Sequence, residues 1–460
     1  MAAYAPERAQ EWERRVPPVK TWPALPRLAF LFGPPILLGL AVLLVDPLVL
    51  LAGVTGIAAA LASIANPFIG VLGYLGCEYL RPMARIEALG ALHLPRLIAG
   101  CALLGWLLRR PTYFRARENA IMFAMLGVIL VTAPFAYWKS RALVAAADFA
   151  KTLAVFLLIV NTTDSPRRLR TLVWTLILLG GFLSIEQLLV YHSRGGDTIV
   201  RVGSMSHGFL GEDGDFALAL LVLLPFPWFL AGRDPSRALR VAAAGMVALF
   251  TCSIVATGSR GAAVGLLAEL AIFWMLSRRK LLALGIAAAV AGSWWTFSPA
   301  AYRERILTIS LHPSDQAALQ RTAAWRAAIG IFAQRPLSGV GAENFYYAFT
   351  GQYGGSYQSD RTVHNLYLQA AAELGIFGLA CLLALIAAVF WRARDSRRLL
   401  AAAGRSEGWD YGVGLALSAS LIGFMIHAAL QTPLYYPHLY LLAAIAVATG
   451  RLARDSGEAT

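Results

Sequence analysis

Apolar stretches close to the roughly 20 residues a helix needs to cross a bilayer recur along this chain from Leu28 to Ala448. They cover Leu28–Val45, Pro47–Ala62, Ser63–Leu80, Ala91–Leu108, Asn119–Tyr137, Ala142–Val160 and Thr171–Tyr191 in the first part of the chain. Asp213–Leu230, Val241–Val255, Gly261–Leu276, Leu281–Phe297, Leu366–Phe390, Tyr411–Leu430 and Leu434–Ala448 follow. The second and third are short and adjacent and read as a tight or re-entrant hairpin, so 12 to 14 helices are expected. Composition excludes a water-soluble alternative: 58% of the 460 residues are hydrophobic and 14% charged, against roughly 25% charged in soluble domains. The expected fold is an all-α polytopic membrane protein.

The four cysteines, Cys77, Cys101, Cys252 and Cys381, lie in or beside apolar runs without a metal-type spacing, and read as small buried hydrophobes. The formal charge is +14, and only Lys20, Lys139, Lys151 and Lys280 among the 40 cations are lysine. Arginine suits forked contacts with phosphate. Nothing in the chain suggests a nucleic-acid partner.

The cations also orient the chain. With residues 1–27 as a cytoplasmic tail, Arg109–Arg117, Arg167–Arg170, Arg233–Arg240, Arg278–Lys280 and Arg392–Arg405 all fall on one side, as expected of cytoplasmic loops. The expected organisation is this tail, a transmembrane bundle over 28–297, a large periplasmic loop over 298–365, further spans over 366–450, and a second cytoplasmic tail over 451–460. Both termini are therefore expected inside a bacterial inner membrane.

Within the long loop, Asp315–Gln334 is predicted as an amphipathic helix with Leu319, Trp325, Ile329 and Phe332 on its apolar face and Ser314 as its cap. Pro336 ends it, and a Gly339-Val340-Gly341 turn leads into an aromatic stretch through Tyr357. A loop this structured reads as a lid or substrate platform.

Charges in or beside spans are candidate functional groups because the bilayer disfavours them. Thr257-Gly258-Ser259-Arg260-Gly261-Ala262 forms a sharp turn presenting one arginine between glycines. Arg194 and Arg201 lie in the His192–Glu212 loop, and the long loop adds Arg303, Arg305, Arg321, Arg326, Arg335 and Arg361. Such arginines have a structural reading too, snorkelling to headgroup level or capping helices. At Arg260 the flanking glycines favour an anionic, phosphorylated lipid as the partner. His364-Asn365 stands where the loop meets the span from Leu366, where a histidine can take a proton from a hydroxyl nucleophile or simply cap the helix. His192, His207 and His312 lack such surroundings and read as structural. Asp148 and Lys151, one turn apart in a span, read either as mutually neutralising or as shaping a cavity; Glu186 and Glu269 are expected to face the bundle interior. Asp213-Gly214-Asp215 has the spacing of a metal motif and equally suits a helix cap or an acceptor groove; no metal site is assigned.

The run His364-Asn365-Leu366-Tyr367-Leu368-Gln369-Ala370-Ala371-Ala372-Glu373-Leu374-Gly375-Ile376-Phe377-Gly378 resembles the histidine-asparagine, nine residues, glycine, two residues, glycine signature of the bacterial O-antigen ligase and O-antigen polymerase superfamily. Arg335-Pro336-Leu337-Ser338-Gly339-Val340-Gly341-Ala342-Glu343-Asn344-Phe345 is similar to that family's approach to the motif, and Ser259-Arg260-Gly261 to its arginine turn.

The resemblance implies a membrane glycosyltransferase of GT-C type that uses a glycan on undecaprenyl diphosphate and no cofactor. By that analogy Arg260 and His364 are the catalytic candidates, and Arg201, Arg260, Arg361 and Asn365 the substrate-binding ones. The acceptor is a lipid A core in a ligase, a second lipid-linked glycan in a polymerase, or a protein hydroxyl in an oligosaccharyltransferase. A polytopic transporter is the alternative of another class. Transporters generally place such residues near the bilayer midplane in repeated halves, whereas here they gather at one face around a loop.

Overall fold

The computed structural model describes residues 47–82, 93–109, 113–193, 210–277, 316–352 and 362–457, with isolated positions between 280 and 303. The chain divides into two compact units, Met1–Ile57 and Ala58–Thr460. Of the first, the described part is helical from Pro47. The described residues contain no strand.

The helices run in chain order as α1 (Pro47–Ala65), α2 (Pro67–Leu80), α3 (Leu94–Leu108), α4 (Arg117–Thr132), α5 (Lys139–Thr162), α6 (Pro166–Ser193), α7 (Asp213–Leu223) and α8 (Pro225–Leu230). They continue as α9 (Arg237–Ala256), α10 (Arg260–Leu276), α11 (Gln316–Gln334), α12 (Phe345–Gln352), α13 (Leu366–Ala402), α14 (Trp409–Ala428) and α15 (Pro437–Gly457). Among the described residues, seven helical segments are long and apolar enough to cross a membrane: α4 with its following turn, α5, α6, α7 with α8, α9, α13 and α14. The expected spans Leu28–Val45 and Leu281–Phe297 fall outside the described segments.

The break between the two short spans lies a few residues beyond the expected Ala62/Ser63. Helix α1 continues to Ala65, and the break is at Asn66, whose side chain accepts from Phe68 N to cap α2. Arg109 supplies the ends of α1 with donors, reaching Ile64 O at 2.7 Å and Ala65 O at 2.6 Å. Gly105 permits that approach, because a Cβ there would lie 2.3 Å from Ile64 O. Helix α2 then packs along α3.

Helix α13 is the centre of the larger unit, packing against α4, α14, α15 and the loop helix α11. Small residues permit this: Ala443, Ala444, Ala446 and Ala448 of α15 and Ala416, Ala419 and Ser420 of α14 are all buried. Large apolar side chains such as Val131, Phe135, Leu143, Leu178 and Leu189 are instead exposed on α4, α5 and α6, the distribution expected where the surrounding solvent is lipid. Cys77, Cys101 and Cys381 are half-buried and Cys252 is exposed, so the expectation of buried cysteines fails.

Two ion pairs correct the mutual-neutralisation reading of Asp148 and Lys151, while the cavity reading fits, since both line one cavity together with Arg96. Asp148 meets Arg96 at 3.6 Å and Lys151 meets Glu78 at 3.9 Å, so each is neutralised from a neighbouring helix and not by the other. At the arginine-rich end, Arg392 makes a forked pair with buried Glu118 at 3.0 and 2.7 Å, joining α13 to the first turn of α4.

Candidate functional site

The motif around Gly375 breaks a helix in order to hold a loop. Gly375 has φ 67° and ψ −162°, a conformation that interrupts the hydrogen-bond ladder of α13. The strap Arg335–Phe345 repairs it: Val340 N donates to Ala372 O at 2.9 Å, Gly341 N to Glu373 O at 2.8 Å, and Ile376 N to Pro336 O at 2.8 Å. Gly339 and Gly341 both have positive φ, and a Cβ on Gly339 would lie 2.4 Å from the Glu373 carbonyl. These glycines seat backbone on backbone, which accounts for their place in the motif.

Glu373 secures the same junction from its side chain. The carboxylate is buried and accepts from Glu343 N at 3.0 Å, Phe345 N at 3.4 Å and Tyr435 Oη at 2.7 Å. Above it the loop forms its own small core of Ala324, Ala327, Ala328 and Ile331 from α11 with Val340, Phe345, Phe349 and Val363. The apolar face of α11 is only partly the expected one, since Trp325 does pack against this core. Leu319 and Ile329 are exposed, and alanines with Ile331 are buried.

His364 sits in this frame at the loop's exit. It holds a left-handed conformation (φ 47°), is buried, and its Nε2 lies 2.9 Å from Thr362 Oγ1. Trp325 Nε1 donates to Val363 O at 2.9 Å, fixing the corner from the α11 side. Asn365 caps α13: its Oδ1 accepts from Tyr367 N and Leu368 N, both at 3.0 Å. The carbonyl half of the residue expected at the substrate is thus committed to the helix.

Arg260 is the first residue of α10. Gly258 turns the chain with φ 65°, and Ser259 caps the helix through Ala262 N. The guanidinium side chain therefore starts from a helix N-terminus, whose unpaired amides favour anions. The Arg260 turn and the His364 corner meet at the end of α14, where Gly261 lies against His427 and Tyr367 Oη donates to Met425 O at 3.3 Å. Arg201 and Arg361 lie outside the described residues.

Beside the His364 corner lies a polar cavity of ≈ 290 Å³, lined by Arg141, Glu343, Thr362, Glu373, Tyr435 and Tyr436 among others. Arg141 pairs with Glu343. Burial pushes the Glu343 carboxyl above its ordinary range, and the Arg141 guanidinium pulls it back. Tyr436 Oη donates to Asp215 Oδ2 at 2.9 Å, so the Asp213–Asp215 group adjoins the cavity wall through a tyrosine. Sequence reasoning missed Arg141, Tyr435, Tyr436 and His427. The available signal was the Gln431–Pro437 link, of which only Gln431–Pro433 was read as a gap, with Tyr435 and Tyr436 placed at the start of the last span.

With this geometry in place, residues 244–383 match a family model described as O-antigen ligase. The chain carries a domain of the O-antigen ligase family. A comparison with curated proteins finds no match. The O-antigen ligase domain spans α10, the loop helices and the first half of α13, so it takes in Arg260, the strap, His364 and Gly375. Arg141, Tyr435 and Tyr436 come from outside it, so the cavity is completed by α5 on one side of the O-antigen ligase domain in sequence and the α14–α15 link on the other.

Proposed function

We propose that the chain transfers a glycan from undecaprenyl diphosphate to an acceptor hydroxyl, the lipid A core first among the candidates, on the membrane face opposite its arginine-rich loops. What supports this reading is an arginine at the capped start of α10 and a histidine fixed beside Thr362, which lines a polar cavity. A sugar C1 bonded to diphosphate already has a good leaving group. What remains for the protein is to orient the acceptor, remove its proton and stabilise charge on the departing oxygen.

In this mechanism the acceptor oxygen attacks C1, the C1–oxygen bond to the diphosphate breaks, and His364 takes the hydroxyl proton. Arg260 and the amides at the α10 N-terminus hold the diphosphate, and Arg201 and Arg361 are proposed to add to that clamp. The left-handed backbone at His364 and its contact with Thr362 support a base kept in one orientation. No cofactor is required by this scheme, and the arginines take the charge-stabilising role that a metal has in many sugar transferases.

Arg260→Ala and His364→Ala are each expected to abolish glycan transfer by purified, membrane-inserted protein, with normal expression. Near-normal product from either variant would falsify the assignment. Activity is expected to survive a chelator, and recovery only on adding metal would overturn the arginine-based scheme. Lipopolysaccharide gels of a deletion strain separate the acceptors: a missing ladder above the core identifies ligation, and a single capped repeat identifies polymerisation. An intact ladder with altered glycoprotein identifies protein transfer.

A further inference from the structure

Helices α10 and α14 pack antiparallel with a glycine opposite a buried polar side chain at two successive levels. At the first, Gly265 of α10 faces His427, and a Cβ on Gly265 would lie 3.4 Å from its Nδ1. At the second, Gly423 of α14 faces Glu269, and a Cβ on Gly423 would lie 2.2 Å from its Oε1. The levels are four residues apart on each helix, about 6 Å along the axis. Both polar side chains are fully buried. At Gly423 the Glu269 carboxyl occupies the side-chain space, whereas at Gly265 the His427 ring is in ordinary contact and Leu221 Cδ1, 2.6 Å from a Cβ there, is the close neighbour.

His427 also reaches out of this pair. Its Nε2 lies 3.1 Å from Gly214 O, and because a carbonyl only accepts, that contact places a hydrogen on Nε2; the ring also faces the backbone of Gly261. The ring edge rests against Gly261, the residue after Arg260. One side chain therefore connects the first turn of α7, whose Asp215 holds Tyr436 at the cavity wall, to the first turn of α10. Among the described residues neither Nδ1 of His427 nor either carboxyl oxygen of Glu269 has a hydrogen-bond partner. Buried polar groups of this kind are satisfied by ordered water. The two groups lie one helical turn apart between the same two helices, a spacing that one bridging water can serve.

We propose that His427 is the positioning residue of the Arg260 turn, held in register by Glu269 through one buried water. This rests on the reading of Arg260 as the diphosphate ligand. Neither side chain touches substrate. His427 sets where the α10 N-terminus stands relative to α7, and Glu269 fixes the ring that does so.

The test measures binding of radiolabelled undecaprenyl diphosphate to the full chain in detergent, with the melting temperature of every variant recorded. His427→Phe and Glu269→Leu keep apolar volume in an apolar site. Each is expected to weaken binding about tenfold, the lower end for residues that orient a ligand-binding group. Because they break one connection, the double variant should bind no worse than either single one within about twofold. Glu269→Gln retains an acceptor oxygen for the water and should restore affinity to within about twofold of the original chain. Wild-type affinity in His427→Phe, or losses that multiply in the double variant, would overturn the proposal, as would a lowered melting temperature with unchanged affinity. Arg260→Ala is measured in parallel. If it binds normally, the diphosphate assignment fails and the positioning role with it; if it loses binding while His427→Phe does not, only the positioning role fails.

Discussion

Tyr435 donates its hydroxyl hydrogen to Glu373 at 2.7 Å, and through this bond the short link between α14 and α15 supports the broken start of α13. The same carboxylate accepts from the amides of Glu343 and Phe345. Deleting it strands three buried donors, and each unsatisfied donor costs about 1–3 kcal/mol. Glu373→Ala is therefore expected to lower the melting temperature in detergent well beyond Tyr435→Phe, which removes one bond of roughly 0.5–1.5 kcal/mol. Equal melting temperatures for the two variants would show that the amides do not depend on Glu373.

The glycines of the motif are predicted to act through backbone contact. Gly375→Ala and Gly339→Ala each place a Cβ within 2.6 Å of backbone atoms, at positive φ. Both should lose folded protein, judged by size-exclusion yield and thermal scanning. Gly245→Ala is the control, since nothing lies within 4 Å of a Cβ there and α9 is regular. It should be neutral or gain about 0.5–1 kcal/mol. Similar behaviour in all three would remove the docking explanation.

Much of this architecture was legible because bilayer physics writes itself into long apolar runs. Asp213–Leu230 was read with its observed bounds, and the loop helix was expected one residue before its observed start at Gln316. The Arg260 turn and the His364 corner were legible from glycine and histidine at a helix start. The function of Gly375 was not: spacing marked it, but only the strap explains why a helix breaks there. Tyr435, Tyr436 and Arg141 were missed because their roles depend on partners 62, 221 and about 200 residues away, a relation that spacing along the chain does not carry. The exposed side of α11 was misread as well. Leu319 and Ile329 were assumed to face inward but are exposed, while Ala324, Ala327, Ala328 and Ile331 are buried.

The forked pair between Arg392 and Glu118 predicts an asymmetric mutational response. Both side chains are buried, so removing Glu118 leaves the Arg392 charge uncompensated, at about 3–5 kcal/mol, whereas removing Arg392 leaves Glu118 only its longer 3.8 Å contact with Arg117. Glu118→Leu and Arg392→Leu should each lower the melting temperature strongly. The double variant should recover much of the loss, because two apolar side chains of suitable volume replace a desolvated pair. The check is a double-mutant cycle on melting temperatures in one detergent; simple additivity would show that the two groups do not act as a pair.

Glu343 predicts a pH effect of defined sign. Burial raises its carboxyl above the ordinary glutamate range, and the ion pair with Arg141 only partly offsets this. The folded chain therefore holds the proton more tightly than the unfolded chain does. Where the unfolded state binds fewer protons, stability falls as pH rises, so the contribution of this group is present below the ordinary glutamate range and is lost as pH rises through its folded value. Glu343→Gln cannot titrate. Its melting temperature relative to the unmodified chain should rise with pH across that window, after a constant loss from breaking the Arg141 pair. Arg141→Met removes the group that pulls the carboxyl down, so it should shift the same pH dependence to higher pH. Thermal scans of the three proteins from pH 4 to 9 make the comparison. A difference between Glu343→Gln and the parent that stays flat with pH would mean that Glu343 does not titrate in this range, and an unchanged profile in Arg141→Met would mean that the guanidinium does not govern it.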